Sequence, residues 1–465
     1  MTTASKAASS RLPVVVGAEH VLTDPQTLSV YAVDGRVPSV AVRPRSSDEV
    51  VEIVKYAASE KLALIPSGAR TKLGIGLPPR RYDIALDMSQ LDRIIAYDPG
   101  DLTLSIEAGV PLHKVEATLA EHRQFVPLFV PYFEQATVGG SLATGVDSPL
   151  RQFYGTGRDY VLGMEFVHGN GVHSKSGGNV VKNVTGYDLH KLMIGALGTL
   201  GVITRVNFKT FPFSGGSHGF LAAFDCCERA SSMRNRIAQS ALRPLTLEIL
   251  SPRISELFLR PENTRAGEAA PPPDALSTRH WMLATAYVGN EKVLARYESD
   301  LRRLAAECGA ANVSVLGDDT RPSVWGRLRE ALPILLDASP ATTIIKIGIL
   351  PSRMQEVIVK AAKMADANHL HWAAIARGLG VIYFALLPTE RSQASQREVA
   401  AATSEILAAA STLGANVTIP WGPSEWKATL KIWGPGRNDF AQMQKVKKVF
   451  DPLGVFSPGR FIGGI

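Results

Sequence analysis

Glycine is concentrated in two parts of the chain, and this feature restricts the fold more than any other. The first part is PSGARTKLGIG at 66–76. The second runs from 137 to 203 and contains TVGGSLATG, RQFYGTGRDYVLG and GGNVVKNVTGYDLHKLMIGALGTLGVI. A diphosphate needs several backbone N–H donors at close range, and side chains at those positions would obstruct its approach. Two such loops feeding one domain predict a large phosphate-containing cofactor rather than a small metabolite.

Two familiar phosphate-binding patterns do not account for these glycines. Gly195, Gly198 and Gly201 are spaced G-x-x-G-x-x-G, whereas dinucleotide folds carry G-x-G-x-x-G. The segment 66–76 lacks the G-K-[ST] ending of a P-loop. Turn formation is the alternative explanation for any single loop, but the loops taken together favour phosphate binding. The groups that fit this interpretation are the bare backbone of Gly68, Gly139 and Gly140 and the hydroxyls of Ser67, Thr71 and Ser141.

The bulk composition is that of a globular protein with more than one domain. At 465 residues the chain is too long for one ordinary core, so we expect two or three domains. The formal charge of +7 is small for this length and its basic residues are scattered. This argues against nucleic acid and leaves an acidic partner or a membrane surface open. No apolar run forms a signal sequence or a spanning helix, so we expect a cytoplasmic protein that meets a membrane only through a partner.

Cysteine usage restricts the redox chemistry. Of the three cysteines, Cys226 and Cys227 are adjacent and Cys308 is isolated, and no C-x-x-C occurs. The chain therefore cannot supply a four-cysteine iron–sulfur or zinc site. If electrons must leave one at a time, another polypeptide has to carry them.

Hydrophobic periodicity predicts mixed helices and strands in the first half of the chain. A capping-box pattern at 46–49, followed by apolar residues with helical spacing, predicts a helix over 46–61. Alternation predicts a half-buried strand at 102–108 and another at 205–209, and a proline in first position predicts a helix over 111–122. The irregular order of these elements favours an α+β fold over a doubly wound sheet.

The character of the sequence changes after residue 213. Glycine loops become rare, and amphipathic helices are predicted at 227–238 and 293–308, with an exposed Pro- and Ala-rich insertion near 261–280. A last helix is predicted whose inward-facing residues are Phe440, Met443, Val446 and Phe450. The predicted division of the chain is an N-terminal segment (1–38), a first domain (39–212), a second domain (213–435) and a C-terminal segment (436–465) that returns to the first domain.

With these motifs the chain resembles the vanillyl-alcohol-oxidase-type (PCMH-type) FAD-binding superfamily and, within it, the family of FAD-binding E subunits of bacterial glycolate oxidases. The resemblance is carried by PSGARTKLGIG, ATVGGSLATG, RDYVLGMEFVHGNG, GGNVVKNVTGYDLHKLMIGALGTLGVI and VFDPLGVFSPGRFIGG, in this order. It covers about 40–212 and the last thirty residues well and the middle domain loosely. It implies an α+β protein with a two-part FAD-binding domain and an α+β cap domain.

The resemblance also implies which residues hold FAD, without an obvious histidine for covalent attachment. Ala69 stands where the family often has glycine, and Ser457 stands in the usual asparagine place of the tail motif. The implied diphosphate loop is Pro66, Ser67, Gly68, Ala69, Arg70, Thr71 and Lys72. The implied second wall is Thr137, Val138, Gly139, Gly140, Ser141 and Thr144. The remaining implied contacts are Gly198, Gly201, Val202 and Ile203 by backbone groups, and Arg460 near the flavin edge.

Oxidation of a 2-hydroxy acid by a flavin needs a cation for the carboxylate and a base for the hydroxyl proton. Arg377 is the candidate for the cation, and so the predicted catalytic residue of the second domain. In related D-2-hydroxyacid dehydrogenases a His-x-Gly-Asp-Gly-Asn segment supplies metal ligands. Here Ala376 and Leu379 replace its His and Asp, so we expect no metal. His369 and His371 would share one face of a strand and are interpreted as ordinary packed or surface histidines.

Other polar and aromatic residues have structural interpretations. Arg151, Arg158 and Asp159 lie beside the cofactor loops and are interpreted as ion pairs that brace them. The resemblance implies that Lys182, Asn183, Tyr187 and Asp188 organise a loop over the cofactor. Core or interface positions are expected for Trp421, Trp426 and Trp433.

The resemblance implies an FAD-dependent oxidoreductase acting on CH–OH groups, as the E-type subunit of a complex that oxidises glycolate to glyoxylate. Its implied partners are a D-type flavoprotein and an iron–sulfur subunit, which agrees with the missing cysteine clusters. One alternative is a self-contained FAD-linked oxidoreductase of 2-hydroxy acids or alcohols. Another is a non-catalytic assembly subunit whose flavin is only structural.

Overall fold

A computed structural model describes residues 11–178, 186–213, 215–259, 280–317, 326–436 and 438–465. The described residues form two compact units. Unit 1 takes its residues from Met1–Asp147, Thr156–Phe213 and Pro435–Ile465, and unit 2 from Ser148–Gly155 and Ser214–Gly434. The sequence predicts 148–155 within the first domain. It belongs instead to unit 2, because its helical turn contacts a strand of that unit's sheet.

The strands are numbered in chain order: β1 Val21–Leu22, β2 Val40–Val42, β3 Leu64–Ser67, β4 Ile84–Asp87, β5 Ile94–Asp98, β6 Thr103–Glu107, β7 Gln124–Phe125, β8 Val161–Val167, β9 His173–Gly177, β10 Val202–Lys209, β11 Phe211–Pro212, β12 Gly216–Phe224, β13 Thr246–Leu250, β14 Trp281–Gly289, β15 Asn312–Leu316, β16 Thr343–Gly348, β17 His371–Arg377, β18 Val381–Leu387 and β19 Asn416–Trp421. The α-helices are numbered likewise: α1 Pro25–Ser29, α2 Ser47–Ser59, α3 Leu112–Ala120, α4 Val138–Thr144, α5 Arg151–Tyr154, α6 Gly157–Tyr160, α7 His190–Met193, α8 Cys227–Gln239, α9 Pro252–Leu259, α10 Glu291–Glu307, α11 Ala331–Leu336, α12 Met354–Ala367, α13 Gln393–Thr412 and α14 Phe440–Phe450. In none of the described ranges does a helix combine the length and the apolar character needed to span a bilayer.

Unit 1 contains two larger sheets. The first has the strand order β1-β2-β4-β3, in which β1 is antiparallel to β2 and the remaining neighbours are parallel. The second has the order β5-β6-β10-β8-β9, and all its neighbours are antiparallel. A short ribbon pairs β7 with β11. Each larger sheet packs against its own hydrophobic core.

Helix α2 confirms the helix predicted near 46–61. The hydroxyl of Ser46 accepts a hydrogen bond from the Glu49 N–H at 3.2 Å. The Glu49 carboxylate accepts from the N–H of Arg45 at 2.7 Å, one residue before the position a capping box would use. The apolar face is fully buried and consists of Val50, Ile53, Val54 and Ala57.

Strand β6 confirms the strand predicted at 102–108, but both of its faces are covered. Ser105 and Glu107 alternate with apolar residues and yet are only 4% and 3% exposed. The Glu107 carboxylate is satisfied by Arg93, whose Nη2 donates to Oε1 at 2.8 Å and whose backbone N–H donates to Oε2 at 2.9 Å. Polar alternation therefore marks a buried carboxylate paired with an exposed arginine here rather than a solvent face. The predicted strand at 205–209 lies within β10, and Pro111 caps α3 rather than beginning it.

Unit 2 is built on one eight-stranded sheet with the order β15-β12-β14-β13-β17-β18-β16-β19. Each neighbouring pair is antiparallel. Helices α8 and α10 confirm the two amphipathic helices predicted in this part of the chain. The resemblance implies an α+β domain here, but the sequence analysis did not place the strands of this sheet or their order. The insertion predicted near 261–280 lies, except for residue 280, outside the described residues.

Candidate functional site

Unit 1 contains a cavity bounded by the loop after β3, the first turn of α4, the residues leading into β10 and the C-terminal segment. It encloses about 770 Å³ of space not filled by protein, part of it open to solvent. Every residue predicted to contact the cofactor lines this cavity except Val138, which is fully buried in the hydrophobic core behind α4. The cavity also exposes residues that the sequence did not indicate: Leu73, Ile75, Met88, Ala108, Ala143 and Leu197.

Glycines in this cavity allow its loops to touch one another. A Cβ atom built on Gly68 would lie 2.0 Å from Oγ1 of Thr137. Gly198 has a φ of +65°, and its Cβ would lie 2.7 Å from Cγ of Pro66. Side chains are excluded at both positions by neighbouring protein atoms, so these glycines are required by loop packing as well as by any ligand.

The first loop is the main source of available backbone donors. The N–H groups of residues 68–71 donate to no backbone carbonyl in the described part of the chain. By contrast, the Val138 N–H donates to the Val110 carbonyl at 3.0 Å, and the Gly139 N–H donates to the Ala108 carbonyl at 2.7 Å. The interpretation of Gly139 as a free donor is therefore wrong, because strand-end carbonyls already occupy the first amides of α4. The second wall contributes shape, and the first loop contributes N–H groups.

The charged residues that line the cavity are all basic. Arg70, Lys72 and Arg460 line it, and no Asp or Glu is found among the described residues that do so. Lys72 is only 6% exposed, with its Nζ 5.6 Å from the centre of the Tyr132 ring. Such a lining attracts an anion, and the nearby amides offer hydrogen bonds to anionic oxygens.

Arg70 is held in place by a buried carboxylate that the sequence did not indicate. Asp87, at the end of β4 and 3% exposed, accepts from the Tyr31 hydroxyl at 2.6 Å and from Nη1 of Arg70 at 3.1 Å. The guanidinium of Arg70 also lies over the Tyr31 ring, 4.7 Å from its centre. Arg70 has a φ of +63°, so this network fixes a backbone conformation that non-glycine residues seldom adopt. An acidic residue directly after an apolar strand run was the available sequence signal.

Arg460 joins the C-terminal segment to the first loop. Its Nη2 donates to the carbonyls of Leu73 and Ile75, and its own carbonyl accepts from the Leu77 N–H at 3.0 Å. The side chain is 3% exposed, and burial lowers its pKa to about 10, an effect that the charge of Asp34 opposes. Even so, Arg460 stays protonated at neutral pH, and the loop keeps its cation.

Buried polar atoms without partners border the same space. In the described residues no hydrogen-bond partner is found for Nε of Arg460 or for two hydroxyls, those of Ser67 and Ser141. Unsatisfied buried polar groups are uncommon in native proteins and call for a ligand or an ordered water. Available loop amides, cations without lining acids and unpaired hydroxyls together fit the diphosphate and hydroxyl groups of FAD.

Arg377, the predicted catalytic residue, lies in the sheet of unit 2. It ends β17 and is 6% exposed, with Nη1 3.3 Å from Oε1 of Glu248 on the neighbouring strand β13. Its guanidinium is also 5.5 Å from the centre of the Tyr383 ring. The positive charge predicted here is present, but a buried carboxylate already balances it.

The two histidines predicted to share a strand face do not do so. His371 begins β17 and is exposed, whereas His369 precedes the strand with a φ of +57°. Across the described ranges no group of three or more His, Cys, Asp or Glu side chains could hold a metal ion.

Two of the residues predicted to brace the cofactor loops as ion pairs make hydrogen bonds, and that of Asp159 caps its own helix α6. Asp159 accepts from the Thr156 N–H at 2.7 Å, and Nη2 of Arg158 donates to the Ile194 carbonyl at 3.3 Å. Arg151 belongs to unit 2 instead.

Of the loop implied to cover the cofactor, Lys182 and Asn183 lie outside the described residues. Tyr187 is 89% exposed, and Asp188 pairs with Lys191 at 2.9 Å. Trp421 and Trp426 are buried, and Trp433 is half-buried.

Two protein families match the chain. The FAD binding domain family matches residues 38–187, and the C-terminal domain family of FAD linked oxidases matches residues 219–461. The matches confirm FAD as the cofactor and the prediction of an FAD-dependent oxidoreductase.

Curated relatives divide into partial and nearly complete matches. Glycolate oxidase subunit GlcE of Escherichia coli (strain K12) is 36% identical over 217 residues, which cover 46% of this chain and 60% of that protein. Glycolate oxidase subunit GlcD of Bacillus subtilis (strain 168) is 25% identical and covers 91% of this chain and 89% of that protein. D-lactate dehydrogenase of Anaerostipes hadrus is 26% identical and covers 96% and 94%. These relatives are named for oxidation at CH–OH groups.

The fold is shared with solved structures. Substrate-bound p-cresol methylhydroxylase superposes with a TM-score of 0.78 at 17% identity, covering 99% of this chain and 97% of that one. This likeness confirms the predicted α+β PCMH-type fold. Because the matched C-terminal domain alone spans more than half of its residues, the chain belongs to the family of FAD-linked oxidases.

Proposed function

We propose that this chain is the FAD-binding E-type subunit of a glycolate oxidase complex and takes part in the oxidation of glycolate, a 2-hydroxy acid, to glyoxylate. The observation that carries the proposal is the cavity of unit 1, with its available amides at 68–71 and three lining cations. The choice of glycolate is supported by the 36% identity with the Escherichia coli subunit.

In this proposal each part of the cavity has a separate task. The amides of residues 68–71 donate to the diphosphate oxygens, and Lys72 and Arg460 balance their charge. The hydroxyls of Ser67 and Ser141 donate to the remaining polar groups of the cofactor. Bound FAD would supply a two-electron acceptor for the C–H bond beside the substrate hydroxyl. The buried network around Arg70 keeps the loop in the conformation that presents its amides.

Unit 2 would hold the substrate. Arg377 is the cation that we propose for the carboxylate, and the buried strands β13 and β17 keep it in a fixed position. A rigid cation fixes the orientation of the acid's carboxylate, and orientation of the reactant is a main way a protein accelerates such a step.

Partners are needed for the electrons to leave one at a time. The chain has three cysteines, and all are free thiols in the structure. An iron–sulfur subunit would therefore carry single electrons, and a D-type flavoprotein would complete the complex.

The experiment is co-purification of this chain with a D-type flavoprotein and an iron–sulfur subunit from the same organism, followed by anaerobic titration with glycolate. We expect the flavin absorbance of this chain to bleach within the complex. A chain purified without flavin that stays colourless after incubation with FAD would refute the cofactor assignment. Bound flavin that never bleaches in the active complex would instead indicate an assembly subunit.

A self-contained oxidoreductase is the second candidate. It is favoured by the alignment with D-lactate dehydrogenase of Anaerostipes hadrus over 96% of this chain. Dye reduction by the isolated, FAD-loaded chain with glycolate or D-lactate would decide for it. Activity that appears only with the partner subunits would decide for the complex.

A further inference from the structure

Two segments that border the cofactor cavity are held by one ammonium group that does not itself line the cavity. The Nζ of Lys447, on α14, donates to the Thr199 carbonyl at 2.7 Å and to the Phe456 carbonyl at 3.0 Å. The Lys447 side chain is only 14% exposed. Thr199 lies in the loop before β10, and Phe456 lies in the C-terminal segment. A single side chain therefore joins two parts of unit 1 that are far apart in the chain.

The loop before β10 depends on its attachments, because part of its backbone is left-handed. Leu197 and Gly198 both line the cavity and have φ values of +52° and +65°. One attachment is to the end of α4, where the Leu197 N–H donates to the Ala143 carbonyl at 2.8 Å. No backbone N–H in the described residues donates to the Thr199 carbonyl, so its donor is Lys447. A non-glycine residue keeps such a conformation only where its surroundings enforce it.

The C-terminal segment is held by the same ammonium and by its counterion. Residues 455–457 run parallel to β3, and the Ser457 N–H donates to the first carbonyl of that strand at 2.9 Å. The end of β3 enters the first loop of the cavity, and the residues after Ser457 bring Arg460 to the cavity. Asp451, whose carboxylate pairs with Lys447 at 2.6 Å, accepts from the first two N–H groups of 455–457, both at 2.9 Å.

We infer that Lys447 is a positioning residue for FAD, which acts through the Thr199 and Phe456 carbonyls and keeps both segments in the conformation that accepts the cofactor. The inference rests on the part of the proposed function in which this cavity holds FAD. Without the ammonium, two carbonyls lose a charged donor and both segments relax, so that FAD has to order them on binding. The apparent affinity is then reduced in proportion to the fraction of molecules in which both segments are in place.

The test measures the dissociation constant of FAD by fluorescence titration of the flavin-free full chain, at a temperature well below its thermal transition. Lys447→Met should weaken FAD binding about 10- to 100-fold, the loss expected when a hydrogen bond to a charged group is removed. Lys445→Met is the matched control. It makes the same change at an exposed position of the same helix and should leave the dissociation constant unchanged.

A second control separates positioning from a general loss of stability. Leu119→Ala removes a fully buried side chain of α3 that belongs to the core of the second sheet and does not line the cavity. It should lower the melting temperature about as much as Lys447→Met does, and yet keep the FAD affinity within about 3-fold of the parent. The visible circular dichroism of bound flavin reports the shape of its surroundings, and at saturating FAD it should change in Lys447→Met only.

A glycine between β8 and β9 allows an independent perturbation that removes no charge. The Gly169 N–H donates to the Phe450 carbonyl at 2.8 Å, and a Cβ atom built on Gly169 would collide with Oδ1 of Asp451. Gly169→Ala should therefore displace this carboxylate and weaken FAD binding, as Lys447→Met does. In Gly178→Ala, at the other end of β9, the added methyl meets no atom of the described residues within 4 Å and should have no effect.

Two results would overturn the inference: FAD affinity within about 3-fold of the parent in folded Lys447→Met, or an equal loss of affinity in Leu119→Ala. If Lys447→Met does not fold, Gly169→Ala decides: a loss of affinity relative to Gly178→Ala supports the inference, and parental affinity overturns it. A parent chain that binds no FAD refutes the proposed function and the inference together. A parent that binds FAD, with Lys447→Met unaffected, refutes the inference alone.

Discussion

Replacement of Lys447 by methionine should destabilise unit 1 more than any surface change in its C-terminal segment. The Lys447 Nζ donates to the Thr199 carbonyl at 2.7 Å, to the Phe456 carbonyl at 3.0 Å and to Oδ2 of Asp451 at 2.6 Å. The Asp451 side chain is fully buried and also accepts from the N–H groups of Val455 and Phe456, both at 2.9 Å. Methionine would leave that carboxylate and two carbonyls without the ammonium.

The magnitude follows from the burial of the pair. Removing one partner of a buried ion pair costs about 3–5 kcal/mol, because the other charge is left uncompensated. Burial lowers the pKa of Lys447, which shows that the lysine itself is held at some cost. The loss should therefore lie within that range and not above it. For a unit of this size each kcal/mol shifts the melting temperature by about 2–4 °C, so we expect a decrease of about 6–20 °C.

The assay separates the two units by their chromophores. All six tryptophans lie in 214–434, so tryptophan fluorescence follows unit 2, while far-ultraviolet circular dichroism follows both units. Thermal scans of Lys447→Met should show a circular dichroism transition that moves to lower temperature without an equal movement of the fluorescence transition. Lys445→Met is the matched control: it makes the same change at an exposed position of α14 and should alter stability by no more than about 0.5 kcal/mol.

A decrease of less than about 2 °C in Lys447→Met, which corresponds to less than about 1 kcal/mol, would contradict a buried ion pair of this strength. A simple sum of the two single effects in the double variant Lys447→Met, Asp451→Asn would contradict it as well, because residues in one buried pair should be coupled.

Three further outcomes test the cofactor cavity and its surroundings. Gly68→Ala should reduce the FAD content of the purified chain, because the added methyl collides with the opposite loop, whereas Gly74→Ala meets no atom within 4 Å and should bind FAD normally. Tyr31→Phe should weaken FAD binding about 3- to 30-fold, because it removes one hydrogen bond from the network that holds the first loop. Tyr97→Phe removes a hydroxyl for which the described residues offer no partner, and it should have no effect. Burial lowers the pKa of His190 in the folded chain. Below about pH 6.5 the unfolded chain therefore binds a proton at this histidine more readily than the folded chain does, and the stability decreases as the pH is lowered. A melting temperature that drops as steeply in His190→Gln as in the parent between about pH 7.5 and 5.5 would contradict that origin.

The cofactor loops could be recognised from the sequence because their requirement is local. A bare backbone at a bend is visible as glycine, and the residues at 66–72 and 137–144 meet in the structure as the resemblance implies, apart from Val138. The function of the individual amides could not be predicted. Whether the Gly139 N–H is free depends on Ala108, a residue far away in the chain whose carbonyl reaches it.

The remaining features depend on pairings distant in sequence. The eight-stranded sheet of unit 2 pairs β13 with β17 across more than a hundred residues. The sequence between them has helical periodicity, which gave no indication of this pairing. For the same reason the partner of Arg377, Glu248, was not foreseen. Segment 148–155 was placed with its sequence neighbours, although its packing against the sheet assigns it to unit 2.

Unit 1 is discontinuous, and this has a consequence for biosynthesis. Its third segment, Pro435–Ile465, supplies Arg460 to the cavity, but it leaves the ribosome only after the whole of 214–434 has been made. At about 5–20 residues per second, the first two segments wait roughly 11–44 s with their apolar surfaces incompletely covered. During this interval the exposed apolar surface is a target for chaperones, and the complete cofactor cavity, which includes Arg460, forms only after translation of the last segment.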